Sequence, residues 1–282
     1  MTELKQFRCV NCGKPTGALY RTYGPSVLKL NKCAKCKCIV DKYIEYDNVI
    51  VMIDAVLISK EAQRHIIYNT EFKSYWKLFI VLMLLETYGV WRNDSLFNIA
   101  INSLCGIRTK ATVNTTYLYI PVDISMSEWW KHQCSGWVYE ERGDDNDLFI
   151  WEKDFYIQFL STFTGIVTFI STVHLIMTMI KPMSVSLNEV SFIRVLKAFS
   201  MANVSILFTL PMLVWGNADT SAETRTIHYM LVFAYSFVVF FNAFTVLYES
   251  PVIATLVTLL VSNTVKYLMT FHTTPFLRSL VT

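Results

Sequence analysis

Four long apolar stretches in the second half of the chain constrain its fold more than any other feature. They run over about residues 155–180, 198–215, 227–248 and 252–271. Each is long enough to cross a hydrocarbon core of about 30 Å as an α-helix. Open strands are excluded there, because a backbone surrounded by lipid must satisfy its own hydrogen bonds. The sequence therefore predicts a multi-pass α-helical membrane protein.

A fifth apolar stretch, residues 76–91, is shorter and contains one acidic residue, Glu86. Tryptophan stands at both of its ends, as is typical of residues at a membrane–water interface. We expect this stretch to form a short first membrane span. Residues 92–154 would then form a loop, and residues 155–282 a membrane body of about four further spans. The alternative is a re-entrant segment, which would move the C-terminus to the other side of the membrane.

Two CxxC motifs precede the apolar stretches. Cys9 and Cys12 form the first motif and Cys33 and Cys36 the second, with twenty residues between them. This spacing is typical of a zinc ribbon, in which two knuckles bring four thiolates to one ion. Between the motifs, "ALYRTY" and "SVLKLN" predict two short strands. Residues 1–46 are therefore predicted to form a small zinc ribbon with four cysteine ligands.

Other interpretations of these cysteines stay open at this point. The four could form two disulfides, or they could be reduced thiols without a role. Cys38 could replace Cys36 as a ligand, because it follows only two residues later. If zinc is bound, four sulfur ligands leave no open coordination position, which indicates a structural site. Zinc thiolates favour a reducing compartment, so the ribbon predicts a cytosolic N-terminal head.

Residues 47–75 are predicted to form a cytosolic amphipathic helix. The apolar residues between Val49 and Leu57 follow helical spacing, and Asp47 is suited to the N-cap position. The apolar run is too short to cross a bilayer. It could lie in the membrane interface or pack under the ribbon, and the sequence leaves both possibilities open.

Residues 8–71 contain a set of motifs that includes the ribbon ligands. They are the two CxxC motifs, "LYRTYG", "VLKL", "VDKYIEYDNVIVMIDAVL" and "EAQRHIIYNT". In these motifs the chain resembles the Arv family of endoplasmic-reticulum proteins. A weaker match is "WEKDFYIQF" at residues 151–159. The resemblance implies a role in sterol and lipid homeostasis at the endoplasmic reticulum membrane, with the Golgi as a further location. It also implies links to sphingolipid metabolism and to assembly of the glycosylphosphatidylinositol (GPI) anchor.

The charge distribution predicts the orientation in the membrane. Basic residues outnumber acidic ones in residues 1–75, whereas the reverse holds in residues 92–154. By the positive-inside rule the head is cytosolic and the loop is lumenal, and five spans place the C-terminus in the lumen. Asn114 begins a glycosylation sequon in this loop, and a lumenal compartment would permit a disulfide between Cys105 and Cys134. Both features could also arise by chance. We expect no cleavable signal peptide, because the first twenty residues lack an apolar core.

The sequence shows few signs of an enzyme. It contains no HExxH, GxSxG, P-loop or GxGxxG motif. Glu86 and His174 lie within predicted spans, where ionisable groups are often functional. An interhelical hydrogen bond would satisfy either side chain without any chemistry, so we predict that the protein is not an enzyme. An enzyme acting on lipid head groups is the least favoured alternative.

Two non-enzymatic functions are left. In the first, the protein mediates intracellular transport of a membrane lipid, which the resemblance implies to be a sterol, a sphingolipid or a GPI precursor. In the second, it is a membrane scaffold that recruits the proteins of lipid or GPI-anchor synthesis without binding lipid itself. Nucleic acid is excluded as a partner, because the net charge is only +3 and a membrane body is attached to the ribbon.

Overall fold

A computed structural model describes residues 7–24, 27–71, 73–107, 128–137, 148–180, 191–219 and 222–281, most of which are helical. The strands are β1 (Phe7–Arg8), β2 (Pro15–Thr16), β3 (Tyr20–Gly24) and β4 (Val27–Leu30). The first helices are α1 (Asn48–Val56), α2 (Lys60–Arg64), α3 (Tyr75–Trp91), α4 (Leu96–Leu104) and α5 (Glu128–Ser135). The later helices are α6 (Leu148–Ile180), α7 (Phe192–Ala202), α8 (Leu210–Asp219), α9 (Ala222–Tyr248) and α10 (Val252–Val281).

The N-terminal ribbon is built from two short antiparallel strand pairs. β1 pairs with β2, and β3 pairs with β4 so that Arg21 lies opposite Lys29. The hairpin predicted between the two CxxC motifs is therefore present. The buried core of the ribbon consists of Cys9, Leu19, Cys33 and Val40. Two of these four residues are cysteines, so the ribbon has little apolar core apart from the cysteine cluster.

The segment after the ribbon is helical but interrupted. α1 ends at Val56, and α2 begins only after Ile58, whose backbone φ of 63° is in the left-handed region. The Ser59 hydroxyl caps α2 by accepting a hydrogen bond from the Ala62 N–H at 3.4 Å. α2 then continues into one π-helical turn, His65–Asn69. The sequence predicts one helix over residues 47–75, whereas the structure has two helices separated by the break at Ile58.

Within the described residues, four helical segments are long and apolar enough to cross a membrane. They are Trp151–Ile180, Phe192–Trp215, Glu223–Tyr248 and Val252–Val281. These bounds confirm the prediction of a multi-pass helical membrane protein. The second segment changes to 3-10 geometry over Asn203–Thr209. Pro211 follows two residues later and has no N–H to donate to the carbonyl four residues earlier, which explains why regular α-geometry is lost there.

The predicted short first span corresponds to α3. This helix has 17 residues. At 1.5 Å per residue it is about 26 Å long, slightly less than a hydrocarbon core of about 30 Å. Its role as a membrane span therefore stays a prediction.

The contacts of the chain divide it into two compact units. The ribbon unit comprises Met1–Phe79, Met177–Asn203 and Phe237–Val257. The body unit comprises Ile80–Ile176, Val204–Ser236 and Thr258–Thr282. Each unit contains parts of the candidate spans, and each has its own set of polar contacts.

In the ribbon unit, the polar head is attached to the end of a candidate span. Arg8 in β1 forms an ion pair with Glu249, the residue after α9. The guanidinium of Arg8 also lies 4.5 Å from the ring centre of Tyr68, and the Tyr68 hydroxyl donates to the carbonyl of Leu247 at 2.9 Å. Because Leu247 belongs to the last turn of α9, these contacts hold the head where the span ends.

In the body unit, parts of the predicted loop pack on α10. Cys105 and Cys134 are joined by a disulfide, with 5.4 Å between their Cα atoms. The indole N–H of Trp137 donates to the carbonyl of Phe271 at 3.0 Å. The bonded cysteines and Trp137 share one buried cluster with Phe271. The sequon residue Asn114 lies outside the described residues.

Candidate metal centre

The thiols of the two CxxC motifs converge on one point of the ribbon. The sulfur atoms of Cys9, Cys12, Cys33 and Cys36 all lie within 4.8 Å of one another. Cys9 and Cys33 are buried, whereas Cys12 and Cys36 are partly exposed. The four cysteines could therefore hold a metal ion.

The first motif folds as a tight knuckle. The N–H of Cys9 donates to the carbonyl of Lys14 at 3.0 Å, and the N–H of Gly13 donates back to the carbonyl of Cys9 at 2.9 Å. Gly13 has a backbone φ of 76°, a left-handed conformation that glycine adopts without steric cost. The turn directs both thiols of the motif towards the same side.

The second motif repeats this hydrogen-bond pattern. The N–H of Cys33 donates to the carbonyl of Cys38 at 2.8 Å, and the N–H of Lys37 donates to the carbonyl of Cys33 at 3.0 Å. Lys37 occupies the position that corresponds to the glycine of the first knuckle, with a backbone φ of 63°. The ribbon thus presents two matched turns, each carrying two thiols.

The distances between the sulfurs fit one tetrahedral ion. The Sγ atoms of Cys9 and Cys36 are 3.7 Å apart, and those of Cys12 and Cys33 are 3.6 Å apart. Four sulfurs at about 2.3 Å from a zinc ion would be separated by about 3.8 Å along the edges of the tetrahedron. A disulfide would need about 2.05 Å. The geometry therefore favours a shared metal over two disulfides.

The two buried thiols differ in their local electrostatics. Burial raises the pKa of Cys9 to about 12, against its ordinary value of 9.0. The backbone N–H of Cys36, which donates to the other buried sulfur, lowers the pKa of Cys33 to about 6. A metal ion must therefore displace a proton from Cys9, and its binding should weaken as the pH falls.

Cys38 lies outside the cluster. Its side chain is exposed, and its thiol donates to the carbonyl of Cys36 at 3.5 Å. Cys36, by contrast, places its sulfur against Cys9. Of the two residues that the sequence leaves open as the fourth ligand, the geometry favours Cys36.

A buried polar network connects the ribbon with the helices that follow it. Asp41 is fully buried and contacts the Nδ1 atom of His65 at 2.7 Å. The side-chain amide of Asn69 donates to Asp41 at 2.6 Å and to the carbonyl of Arg8 at 2.8 Å. Sequence reasoning missed this network. The available signal is the four-residue spacing of His65 and Asn69, which places them on one helical face.

The body unit buries a separate cluster of charged groups. Arg225 forms an ion pair with Asp94, and the hydroxyl of Tyr229 donates to the same carboxylate oxygen of Asp94 at 2.6 Å. All three side chains are buried. Because isolated charges are costly in such surroundings, the mutual pairing explains how these groups are tolerated.

Two further ion pairs lie between helices of the body unit. Lys266 in α10 contacts Glu86 in α3 at 2.5 Å, and Arg278 in α10 contacts Asp154 in α6 at 2.8 Å. Glu86 therefore has a structural partner. His174 is half-buried in α6 and belongs to neither of these pairs. The sequence signal for the first pair is a charge inside an apolar stretch, but it does not identify the partner. Asp154 and Arg278 lie outside the predicted apolar stretches, so no such signal marks the second pair.

Comparison with known proteins identifies the family. The chain matches the Arv1-like family over residues 8–239. The chain belongs to the Arv1-like family. The resemblance carried by the ribbon and the segment after it is therefore confirmed, and the match extends well beyond them into the membrane helices.

Several Arv1 proteins are similar to this chain. Human Protein ARV1 is 29% identical over 79% of this chain and 67% of its own length. Mouse Protein ARV1 is 27% identical over 78% of this chain and 68% of its own length. Bovine Protein ARV1 is 44% identical over 30% of each chain, so this alignment spans less than a third of the bovine protein. These names carry no enzyme designation. No solved structure matches the chain.

Proposed function

We propose that this Arv1-like protein mediates transport of a membrane lipid in the endoplasmic reticulum and has no catalytic activity of its own. The observation that carries the proposal is the family match over residues 8–239, which covers the ribbon together with most of the membrane helices. Membership of the family supports a general role in lipid and sterol homeostasis. The cargo we propose is a sterol, a sphingolipid or a GPI precursor.

The metal centre has a structural role in this proposal. The ion is zinc, held by Cys9, Cys12, Cys33 and Cys36. Support comes from the sulfur spacing and from the four-thiol ligand set, which leaves no coordination position for a substrate. A bound ion would supply much of the folding energy of a ribbon whose apolar core is so small.

The orientation follows from the chemistry expected on each side of the membrane. We propose a cytosolic head, because its thiols are suited to a metal in a reducing compartment. The residues at 92–154 face the lumen, where the bond between Cys105 and Cys134 is stable and Asn114 is glycosylated. The distribution of basic residues supports the same orientation.

The membrane helices supply the surface on which a lipid would move. The candidate spans present many exposed apolar side chains, such as Val214, Leu231 and Ile253. Three ion pairs link charged groups of these helices to other parts of the body unit, such as that of Lys266 with Glu86. Paired charges of this kind stabilise helix packing and need no chemical step, which supports transport rather than catalysis.

Direct lipid binding tests the proposal. The full-length protein, purified with its metal, would be incubated in turn with a photoactivatable sterol, a photoactivatable sphingolipid and a labelled GPI precursor, and bound lipid would be counted after crosslinking. Transport of the lipid that binds would then be followed between donor and acceptor vesicles. We expect saturable binding and faster transfer than with empty vesicles.

The alternative function, a scaffold, makes the opposite prediction. A protein that only recruits synthetic enzymes should bind none of these lipids above background, yet should still restore lipid synthesis in deficient cells. That pair of results would overturn the transport proposal. A Glu86→Gln variant that keeps its abundance and binds lipid but loses function would instead indicate an enzyme.

A further inference from the structure

The first helix after the ribbon exposes a continuous apolar face. Its exposed apolar side chains are Val49, Ile50, Met52, Ile53 and Val56, and Leu57 extends the face beyond the end of the helix. Met52 is 67% exposed and Leu57 is 72% exposed. At 100° per residue these six positions occupy one arc of about 160°. We call this surface the α1 face.

The opposite side of α1 packs on the ribbon. Val51 is buried in a cluster with Val10, Tyr43 and Ala62. Asp54 is the charged residue of the helix, and its carboxylate accepts a hydrogen bond from the Tyr43 hydroxyl at 2.7 Å. The polar group of α1 is therefore directed at the protein, and none of the six residues of the α1 face carries a charge.

Such a face is poorly suited to water. Exposed apolar residues are common singly, but a contiguous apolar surface indicates contact with another protein or with a membrane. α1 has nine residues and would be about 14 Å long, which is too short to cross a bilayer. A helix of this kind can instead lie in the plane of the interface, with its apolar side at the boundary of head groups and acyl chains.

The contacts of the ribbon unit connect the segment after α1 with two candidate spans. The Tyr68 hydroxyl bonds to the carbonyl of Leu247 in α9, and the Lys197 ammonium donates to the carbonyl of Thr70 at 3.3 Å. Leu247 and Lys197 belong to two different candidate spans. Leu57 precedes Tyr68 by eleven residues, and the segment from Lys60 onward is helical. At about 1.5 Å for each of the eight helical steps and at most about 3.6 Å for each of the other three, the two residues lie within about 23 Å of each other. The end of α1 is thus within about 23 Å of the segment that contacts these two candidate spans.

We propose that α1 is an interfacial membrane helix, whose α1 face binds the lipid bilayer at the boundary between head groups and acyl chains. The bilayer is favoured over a protein partner because α1 belongs to the same compact unit as parts of two candidate spans, which the segment after α1 contacts through Tyr68 and Thr70. The binding holds the metal centre at a fixed height above the lipid head groups, and it does not depend on which lipid the protein transports.

Spin labels on the full-length protein test this inference. The parent variant is Cys38→Ser, which removes the exposed free thiol of the ribbon. Met52→Cys and Leu57→Cys place labels on the α1 face, and Arg21→Cys serves as the control. Arg21 is exposed on β3 opposite Lys29, so this site faces water. Each variant would be checked for unchanged bound zinc and inserted into nanodiscs of phosphatidylcholine, with and without phosphatidylserine.

The measurement is the accessibility of each label to oxygen, which concentrates in lipid, and to a water-soluble nickel chelate. We expect labels at residues 52 and 57 to be relaxed by oxygen and protected from nickel, and the label at residue 21 to show the reverse. Access of nickel to both α1 labels would mean that the face is in water. Protection from both reagents would mean that a protein covers it. Either result would overturn the proposal.

Discussion

The ribbon and the membrane body both bury polar groups, but they satisfy them in different ways. In the ribbon, four thiols converge on one point, so that a single ion can serve all of them. In the body unit, charges are satisfied in pairs, such as Asp94 with Arg225 and Glu86 with Lys266. The metal centre of the ribbon depends on a ligand from outside the chain, whereas the charge pairs of the body depend on contacts between distant parts of the chain itself.

The two arrangements also differ in sequence range. The ligands within each knuckle are three positions apart, and the whole metal centre lies within residues 9–36. The paired charges of the body are separated by 131 residues for Asp94 and Arg225 and by 180 for Glu86 and Lys266. Because the metal ligands lie within one short segment, loss of the metal should destabilise the head. Because the paired charges lie far apart in the chain, loss of one charge should disturb the packing between helices of the body unit.

The largest effect is expected from removal of two metal ligands. The variant Cys9→Ser/Cys12→Ser keeps only two of the four ligand thiols, those of Cys33 and Cys36. This change should abolish zinc binding and unfold the head. Structural zinc sites contribute an apparent binding free energy of about 10–16 kcal/mol to folding. The measurement is zinc per chain by mass spectrometry, together with protein abundance.

The matched control for this change is Cys38→Ser. Cys38 lies outside the cluster, so its replacement should leave zinc content and abundance unchanged. If the Cys38→Ser variant lost its zinc as the double variant does, Cys38 and not Cys36 would be the fourth ligand. Full zinc content in both variants would contradict the metal centre as a whole.

A buried charge pair gives the next largest effect. Arg225→Met leaves Asp94 without its cation in a site where both side chains are only 3–4% exposed, and should lower stability by about 3–5 kcal/mol. The double variant Asp94→Leu/Arg225→Met removes both charges and should recover most of that loss. The midpoint of thermal unfolding in detergent measures both. If the single and the double variant lost the same amount of stability, the charges of Asp94 and Arg225 would not be coupled.

The disulfide of the body unit should respond to reagents that leave the ribbon intact. Reduction of the bond between Cys105 and Cys134 should lower stability by about 2–4 kcal/mol. The variant Cys105→Ser/Cys134→Ser should start from the lower stability and be insensitive to the reductant. A zinc chelator should unfold the ribbon and leave the bond between Cys105 and Cys134 intact. A reductant that also abolished zinc binding by the ribbon would contradict this separation.

The pair of Glu86 and Lys266 should matter less than that of Asp94 and Arg225. Its side chains are about 15–16% exposed, so a charge left alone is less completely enclosed by the protein than Asp94 would be. Lys266→Met should lower stability by about 1–3 kcal/mol, measured by the same thermal unfolding experiment. A loss as large as that for Arg225→Met would mean that burial does not determine the cost.

These differences explain what the sequence could predict. The ribbon was predictable because Cys9, Cys12, Cys33 and Cys36 indicate their chemistry through local spacing. The candidate spans were predictable because hydrocarbon thickness sets a minimum length. The partners of the buried charges were not predictable. The sequence shows that Arg225 lies beside an apolar stretch, but it does not show that this residue pairs with Asp94. The break at Ile58 was also missed, because nothing in its neighbours requires a left-handed residue there.

The smallest effect on stability, and the sharpest test of orientation, is expected from Asn114→Gln. In the proposed orientation the two regions face opposite compartments, with reduced thiols on one side and a disulfide on the other. If residues 92–154 are lumenal, glycosidase treatment should shift the gel mobility of the protein with its natural sequence. The Asn114→Gln variant should show no such shift and no change in thermal stability. Absence of glycan in a protein that lacks zinc and has its ribbon cysteines oxidised would place the ribbon in the lumen. The chemical difference between ribbon and body would then need an explanation other than the membrane between them.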